Sequence, residues 1–324
     1  MLVVGLLVVA AAGSGVWWWG MVDDADGPVD CSALLSNVKI KDALGAGYQK
    51  GMSCSELGTA LQTAAGGKGT EGHTAAQVRA MREILQGTDD ALTNSGQKSI
   101  DPSLRLPLAE LIADYAPDTY EIFKGLDARY VEHASDDRPW SDAAGVHMAV
   151  WDDTLIRVTR AVAASPNAYA RVRDAQTRQS ARILTRIPHP ARGVTLTLPP
   201  VGNSVALGVL DAIAHDVSQS SSAGAGKKWR SDVIEALKQS APNPPPSYES
   251  DPVGYIRGNW AAQLDAADTA AESKGFTEQG VRLLDIWAKG RADGFKASES
   301  LRADCRNSQY DRYSDVVHAL SKKP

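Results

Sequence analysis

The sequence predicts an all-α protein, in which an N-terminal transmembrane helix is followed by a multi-helix ectodomain. The membrane span is predicted by an uncharged run from Leu2 to Val22. The helices that follow are predicted by apolar residues at helical spacing and by repeated N-cap signatures. Apolar residues make up 43% and charged residues 23% of the 324-residue chain, so the ectodomain can bury an ordinary globular core.

The N-terminal run has the length of a membrane-spanning helix. As a helix it would extend over about 30 Å, the thickness of a bilayer's hydrocarbon core. Trp17, Trp18 and Trp19 lie near its end, where indole rings favour the headgroup layer. Residues 1–24 are therefore predicted to be a signal-anchor that contacts the lipid bilayer through residues 2–22.

Two other interpretations of this run stay open. One is a cleaved signal peptide with Leu2–Ala12 as its apolar region and the alanines at 10–12 as the cleavage site. The other is a buried core helix, which the interior glycines weaken in water. Cys31 is not a lipidation site, because the acidic Asp30 directly precedes it. We expect a single-pass protein of the cell membrane, with the bulk of the chain extracytoplasmic.

Helical signals continue from residue 30 to residue 162. Ser53 with Glu56, and Thr74 with Gln77, have the spacing of capping boxes. Asp101 followed by proline predicts another helix start. The predicted helices are 30–51, one from Ser53 to the glycine loop at 66–69, one from Thr74 through Leu85, 101–115, one opened by Pro117, and 140–162.

The pattern changes after a helix that is predicted from Ser165 to about Ile187. Pro188-His189-Pro190 ends that helix. Residues 194–198 then alternate like a short strand and end at Pro199-Pro200. We interpret them as an extended crossover, with a small hairpin as the alternative. A helix resumes from Ser204 to Val217.

Composition suggests a boundary near residue 217. Ser218–Lys228 is rich in Ser, Gly and Ala and predicts a flexible loop, whereas Ala241–Pro252 is rich in proline and predicts an extended segment. A short helix, 229–239, lies between them. Three further helices are predicted at 252–273, 277–289 and 297–320. The predicted organisation is a signal-anchor at 1–24, a helical ectodomain at 25–217, a linker with one short helix at 218–251, and a C-terminal helical segment at 252–324.

The cysteines are Cys31, Cys54 and Cys305. Outside the cell, one disulfide and one remaining thiol is the simplest arrangement. Pairing Cys305 with either N-terminal cysteine would close a long loop, worth about 4 kcal/mol in a chain-entropy treatment. Three buried thiols is the alternative. Because no Cys or His spacing matches a zinc motif, we predict neither a metal nor a cofactor.

Charge is unevenly distributed along the chain. Residues 110–153 hold eleven acids and three bases, a net charge of −8, and residues 154–192 hold eight arginines and one acid, a net charge of +7. Four of the arginines, Arg171, Arg178, Arg182 and Arg186, fall on one helical face. One interpretation is internal pairing with the acidic segment. The other is an exposed arginine stripe that binds an anionic wall polymer, lipid headgroup or protein. Nucleic acid is not expected, because the whole chain carries a net charge of −5.

Sequence motifs of known catalytic centres are missing. His133 and His147, among the carboxylates of 110–153, offer an acid–base or metal site, but their spacing matches no metalloprotease helix. The composition, rich in Ala, Arg and Asp, is typical of a high-GC bacterial genome. The leading hypothesis is therefore a membrane-anchored binding or structural protein of the bacterial cell envelope. The alternatives are an envelope hydrolase that uses carboxylates and His in 110–153, and an anchored toxin or immunity component.

Overall fold

The fold is almost entirely helical. The computed structural model describes residues 27–67, 72–136, 138–264 and 276–322. Within these ranges lie fourteen α-helices and one short hairpin, which confirms the all-α prediction. The predicted membrane span, with its three tryptophans, lies outside the described residues.

The N-terminal helices are shorter than predicted. Instead of one helix over 30–51, two helices and a 3-10 turn form, because Asn37 is extended and its side chain caps the second helix by accepting from the backbone of Lys39 and Ile40. Both predicted capping boxes, at Ser53 and at Thr74, are confirmed. The first four helices are α1 (Cys31–Ser36), α2 (Val38–Leu44), α3 (Cys54–Ala65) and α4 (Ala75–Ser95).

A hairpin replaces the first half of the helix predicted at 140–162. Trp140 pairs with His147 across two antiparallel strands. Gly145, the first residue after the turn, has a φ of 137°, a conformation that a side chain would disfavour. The elements of this region are α5 (Pro102–Asp114), α6 (Ala116–Lys124), α7 (Ala128–His133), β1 (Trp140–Asp142), β2 (Gly145–His147) and α8 (Asp152–Val162).

The extended crossover predicted at 194–198 is wrong. These residues form the first turns of α10 (Val194–Gln219), which follows α9 (Pro166–Thr185). Gly193, at φ 55, reverses the chain, and its carbonyl accepts hydrogen bonds from Leu196 and Thr197. Local helical bonding therefore prevails over the β-propensity of the alternating residues.

The flexible loop predicted at 218–228 is also wrong. Only residues 220–222 separate α10 from α11 (Ala223–Ser240), which packs on α9 and α10 and buries Trp229 and Val233. The prolines at 242–246 follow as an extended connection. The remaining helices are α12 (Pro252–Ala262), α13 (Gln279–Gly290) and α14 (Glu299–Ser321).

The longest helix, α10, is the centre of the hydrophobic core. Among the described residues it alone is long and apolar enough to cross a membrane, but 67% of its apolar window is buried inside the protein. It packs along α14, and the two helices belong to one hydrophobic cluster. The predicted division at residue 217 stays a prediction about folding units, although helices from both sides of it share this core.

A buried arginine joins four of the helices. Arg173 of α9 is fully buried and forms an ion pair with Asp211 of α10, at 2.8 Å between Nη2 and Oδ1. Its Nη2 also donates to Gln279 Oε1 of α13 at 2.7 Å. Gln309 of α14 donates to the second oxygen of Asp211 at 2.6 Å. The ion pair therefore holds α9, α10, α13 and α14 in one arrangement.

The disulfide joins the starts of two helices. Cys31 of α1 and Cys54 of α3 are bonded, with their Cα atoms 5.5 Å apart. Cys305 is a buried free thiol of α14, and burial raises its pKa to about 11. The long loop closure considered for Cys305 is therefore not formed, because Cys31 and Cys54 already lie side by side.

The close contact between α10 and α14 leaves no room for a side chain at Gly208. A Cβ on Gly208 would overlap the backbone carbonyl of Gln309 and approach the Arg312 side chain, whereas nothing lies within 4 Å of a Cβ on Gly224 in α11. We expect Gly208→Ala to lower the free energy of unfolding by about 2 kcal/mol through overpacking. Gly224→Ala, the matched control, should change it by less than about 1 kcal/mol, in the stabilising direction. Equal effects of the two substitutions in urea denaturation would contradict the packing.

Candidate functional site

The four predicted arginines lie along the outer side of α9. We call Arg171, Arg178, Arg182 and Arg186 the arginine face. Three of them are exposed, and the side chain of Arg178 is 34% exposed. Between the first and the last, the helix rises by about 22 Å. The structure therefore places these side chains on one surface, as the helical spacing predicts.

The arginine face carries an excess of positive charge. Arg178 pairs with Asp174, at 2.9 Å, but Asp174 also accepts from Arg257 of α12, so two cations share one carboxylate. The pKa of Arg178 is lowered, mainly by burial and further by the like charges of Arg257, Arg171 and Arg182. Over the described ranges, no carboxylate lies within ion-pair distance of Arg171, Arg182 or Arg186. An anion at this surface would relieve that repulsion.

The acidic segment 110–153 finds its partners elsewhere. Asp114 pairs with His73, Asp118 and Asp142 pair with His147, and Asp152 pairs with Arg312 of α14. These contacts are within the segment or with helices other than α9. Burial acts to raise the pKa of Asp114, but hydrogen bonds with His73 and Gly67, and further the charge of Arg171, lower it. Internal pairing therefore accounts for Arg171 in part. It does not account for Arg182 and Arg186, and the described carboxylate partner of Arg178 comes from α9 itself.

An apolar groove adjoins the carboxyl end of the arginine face. It is an open depression of about 400 Å³ between the end of α9 and the first turns of α10. Val194 and Leu198 on its wall are 72% and 54% exposed, and Arg186 also lines it. Exposed apolar patches rimmed by polar residues are one kind of surface at which partners bind. Sequence reasoning missed this groove because it treated residues 194–198 as extended, which does not bring their side chains beside α9. The groove is lined by Ile183, Arg186, Ile187, Pro188, Val194, Thr195, Leu198 and Pro199.

A second cluster forms around His147, in the segment proposed for an enzyme. The two ring nitrogens of His147 each lie 2.9 Å from a carboxylate oxygen, Nδ1 from Asp118 and Nε2 from Asp142. Asp118 also accepts hydrogen bonds from the Tyr130 hydroxyl at 2.7 Å and from the backbone of Met148 at 3.0 Å. The carboxylates of α6 and of the hairpin are thereby joined through one imidazole.

Trp140 brings the two predicted histidines together. Its ring stacks on His147, with centroids 4.3 Å apart, and on His133, with centroids 5.3 Å apart. The guanidinium of Arg129 lies 5.0 Å from the same ring. His133 is bonded to Asp136, at 2.6 Å from its Nδ1. The histidines thus share one site, but as layers of an aromatic stack.

The chemistry of this cluster favours a structural role. Both nitrogens of His147 are occupied, and its hydrogen bond to Asp118, with that to Asp142, raises its pKa to about 9. At neutral pH it is therefore a cation between two anions and has no free nitrogen to accept a proton. A neighbouring cavity of about 250 Å³ is lined by Glu121, Asp127 and Asp152, but by neither histidine. The arrangement fastens the hairpin to α6.

One group of potential metal ligands contains the two cysteines of the disulfide. In the part of the chain that the structure describes, the His, Cys, Asp and Glu grouping with closely spaced ligand atoms consists of Asp30, Cys31 and Cys54. Both sulfurs are committed to the disulfide. A thioether-like disulfide sulfur is a poor ligand compared with the thiolate that binds metals, so this grouping does not suggest a metal centre.

Comparison with known proteins identifies no family for this chain. No family model, no curated protein and no solved structure matches the chain.

The His147 cluster predicts a pH-dependent stability. Because the folded pKa is raised from 6.5 to about 9, the contribution of His147 is fully present below pH 6.5 and is lost as the pH rises from about 6.5 through 9. Asp142, whose pKa is lowered to about 2 chiefly by the hydrogen bond from His147, loses its contribution as the pH falls below about 3.8. The difference in free energy of unfolding between wild type and His147→Gln should thus be largest between about pH 4 and 6.5. A difference that grows from pH 7 to 9 would contradict the ion triad.

Proposed function

We propose that this chain is a membrane-anchored, extracytoplasmic binding protein of the bacterial cell envelope, and that its arginine face captures an anionic partner. The observation that carries the proposal is the position of Arg186 on the wall of the exposed apolar groove, with Arg182 about one helical turn before it. Neither arginine has a carboxylate partner among the described residues. A surface that offers cations and apolar contacts together fits a partner that has both kinds of group.

The groove favours a protein segment as that partner. An acidic side chain would receive paired hydrogen bonds from a guanidinium, and an adjacent apolar side chain would contact Val194 and Leu198. A phosphate-rich wall polymer would engage the arginines but leave the apolar side chains in water. We therefore favour a peptide segment in which acidic and apolar residues alternate at short spacing.

The location rests on two features of the chain. The uncharged run at 2–22 has the length of a membrane span. The disulfide between Cys31 and Cys54 fits an oxidising compartment, since disulfides are rare in the reducing cytosol. Both support an anchor with the helical domain outside the cytoplasm. No comparable observation favours a toxin or immunity role, and the occupied nitrogens of His147 weigh against a hydrolase in 110–153.

Neutralising the arginine face should abolish capture. In the triple variant Arg178→Gln, Arg182→Gln, Arg186→Gln, we expect at least a tenfold loss of the partner recovered after cross-linking on intact cells, with unfolding unchanged. The fold should tolerate the change, because Asp174 keeps its bond to Arg257.

The matched control removes three exposed charges from other surfaces, in the variant Lys50→Gln, Arg79→Gln, Lys227→Gln. It should capture as well as wild type. If the two triple variants lose capture equally, the effect is one of net charge and the proposed site is wrong. A further variant, Leu198→Ser, should also reduce capture of a protein segment, whereas binding of a wall polymer would survive it.

The proposed location predicts accessibility to protease. Treatment of intact cells should digest the helical domain, detected with an antibody against residues 299–321, because the domain faces outward. In a cell with an outer membrane, the same digestion should follow permeabilisation of that membrane. Protection until the cytoplasmic membrane is broken would place the domain inside and overturn the proposed location.

A further inference from the structure

A cavity lies at the opposite end of α10 from the apolar groove. It holds about 320 Å³ and is formed by α4, α8, the loop before α5 and the end of α14. Its volume falls in the range of small-molecule sites. The apolar part of its lining comes from Leu92, Ile156, Ala319 and Leu320.

The cavity is also lined by more cations than carboxylates. Its lining includes four cations and a single carboxylate, Asp153. Two further carboxylates bind the cations from outside the lining: Asp89 pairs with Arg157 at 2.6 Å, and Asp216 pairs with Arg160 at 2.8 Å and with Lys98 at 3.4 Å. One net positive charge remains among these groups. These bonds fix the guanidinium groups in place, so that the site is preorganised. The lining cations are Lys98, Arg157, Arg160 and Lys322.

The position of the cavity indicates where a ligand would come from. Val29, near the start of the described chain, is bonded to Ser99 and to Asp101, beside Lys98 of the cavity lining. The six residues 23–28 connect Val29 to the predicted membrane span, so Val29 lies at most about 25 Å from the end of that span. The predicted anchor would therefore keep Lys98, and with it the cavity lining, close to the bilayer surface.

We propose that this cavity binds an anionic phospholipid of the membrane, with the phosphate at the cationic lining and the start of an acyl chain against the apolar residues. Lys98 and Lys322 contact the headgroup, and Leu92 and Ile156 contact the chain. The supply of the ligand from the bilayer rests on the membrane anchor of the proposed function. The site itself is separate from the arginine face.

The test uses the full-length protein in a neutral detergent with a soluble short-chain probe, dihexanoyl phosphatidylglycerol, titrated by calorimetry. Dihexanoyl phosphatidylcholine and inorganic phosphate are the comparison ligands. We expect the anionic lipid to bind at least tenfold more tightly than either one. Equal binding of the two lipids, or tighter binding of phosphate alone, would overturn the proposal.

Two variants locate the bound lipid. Ala319→Phe fills the cavity and should weaken binding at least tenfold, whereas Ala76→Phe, an equally exposed alanine of α4, should leave it unchanged. Lys322→Gln should weaken binding several-fold and reduce its salt dependence. If Ala319→Phe binds like wild type, the lipid lies on the detergent-covered anchor and the cavity proposal is wrong.

A last control separates this proposal from the proposed function. The triple variant of the arginine face should bind the lipid like wild type, because those residues do not line the cavity. Loss of partner capture with retained lipid binding supports both proposals. If that variant still captures the partner, the arginine-face proposal is wrong and the lipid proposal is unaffected. If that variant no longer binds the lipid, the lipid site is not separate from the arginine face, and the cavity proposal is wrong.

Discussion

The buried ion pair between Arg173 and Asp211 is the constraint on which the rest of the fold depends. A charged guanidinium cannot be buried without a carboxylate and further hydrogen bonds, and α10, α13 and α14 all supply them. Removing Asp211 alone would leave an uncompensated charge in the core and cost about 3–5 kcal/mol. The four helices must therefore assemble together around this point.

The same ion pair fixes the rotation of α9. With Arg173 and Thr177 turned inward, residues one helical face away turn outward, and Arg178 and Arg182 reach the surface. Arg173 belongs to the basic segment but is buried in the core, where it pairs with Asp211. Arg182, on the surface of the same helix, has no ion-pair partner in the described residues. The segment thus divides into a structural cation and the face that we propose binds an anionic partner.

The length of α10 separates the two proposed binding surfaces. The groove uses its first turn and the cavity lies near Asp216 at its other end, a rise of about 30 Å. In the proposed anchored protein, the domain would contact lipid at one end and present the arginine face at a distance from that contact. The Cys31–Cys54 disulfide strengthens the region where the chain enters the domain.

Local signals in the sequence predicted much of this fold. Capping residues such as Ser53 and Thr74 act on their own helix, so the sequence near each helix start predicts it. The shared face of the α9 arginines likewise follows from their helical spacing alone and does not depend on contacts with distant residues. The groove and the hairpin could not be predicted, because they depend on Gly193 reversing the chain beside α9 and on the Trp140 stack. The pairing of Arg173 with Asp211 is likewise a long-range choice, which sequence periodicity does not encode.

The most direct test of the central claim is a photo-cross-linking amino acid placed at Leu198 of the full-length protein in its own cells. Its match at Leu126, an apolar residue with similar exposure on another surface, is the control. The account predicts one discrete protein adduct from position 198 and none from position 126, and it predicts that changing Arg182 and Arg186 to glutamine removes the adduct. The same adduct from both positions, or an adduct that persists without the two arginines, would contradict the claim that this surface captures an anionic protein partner.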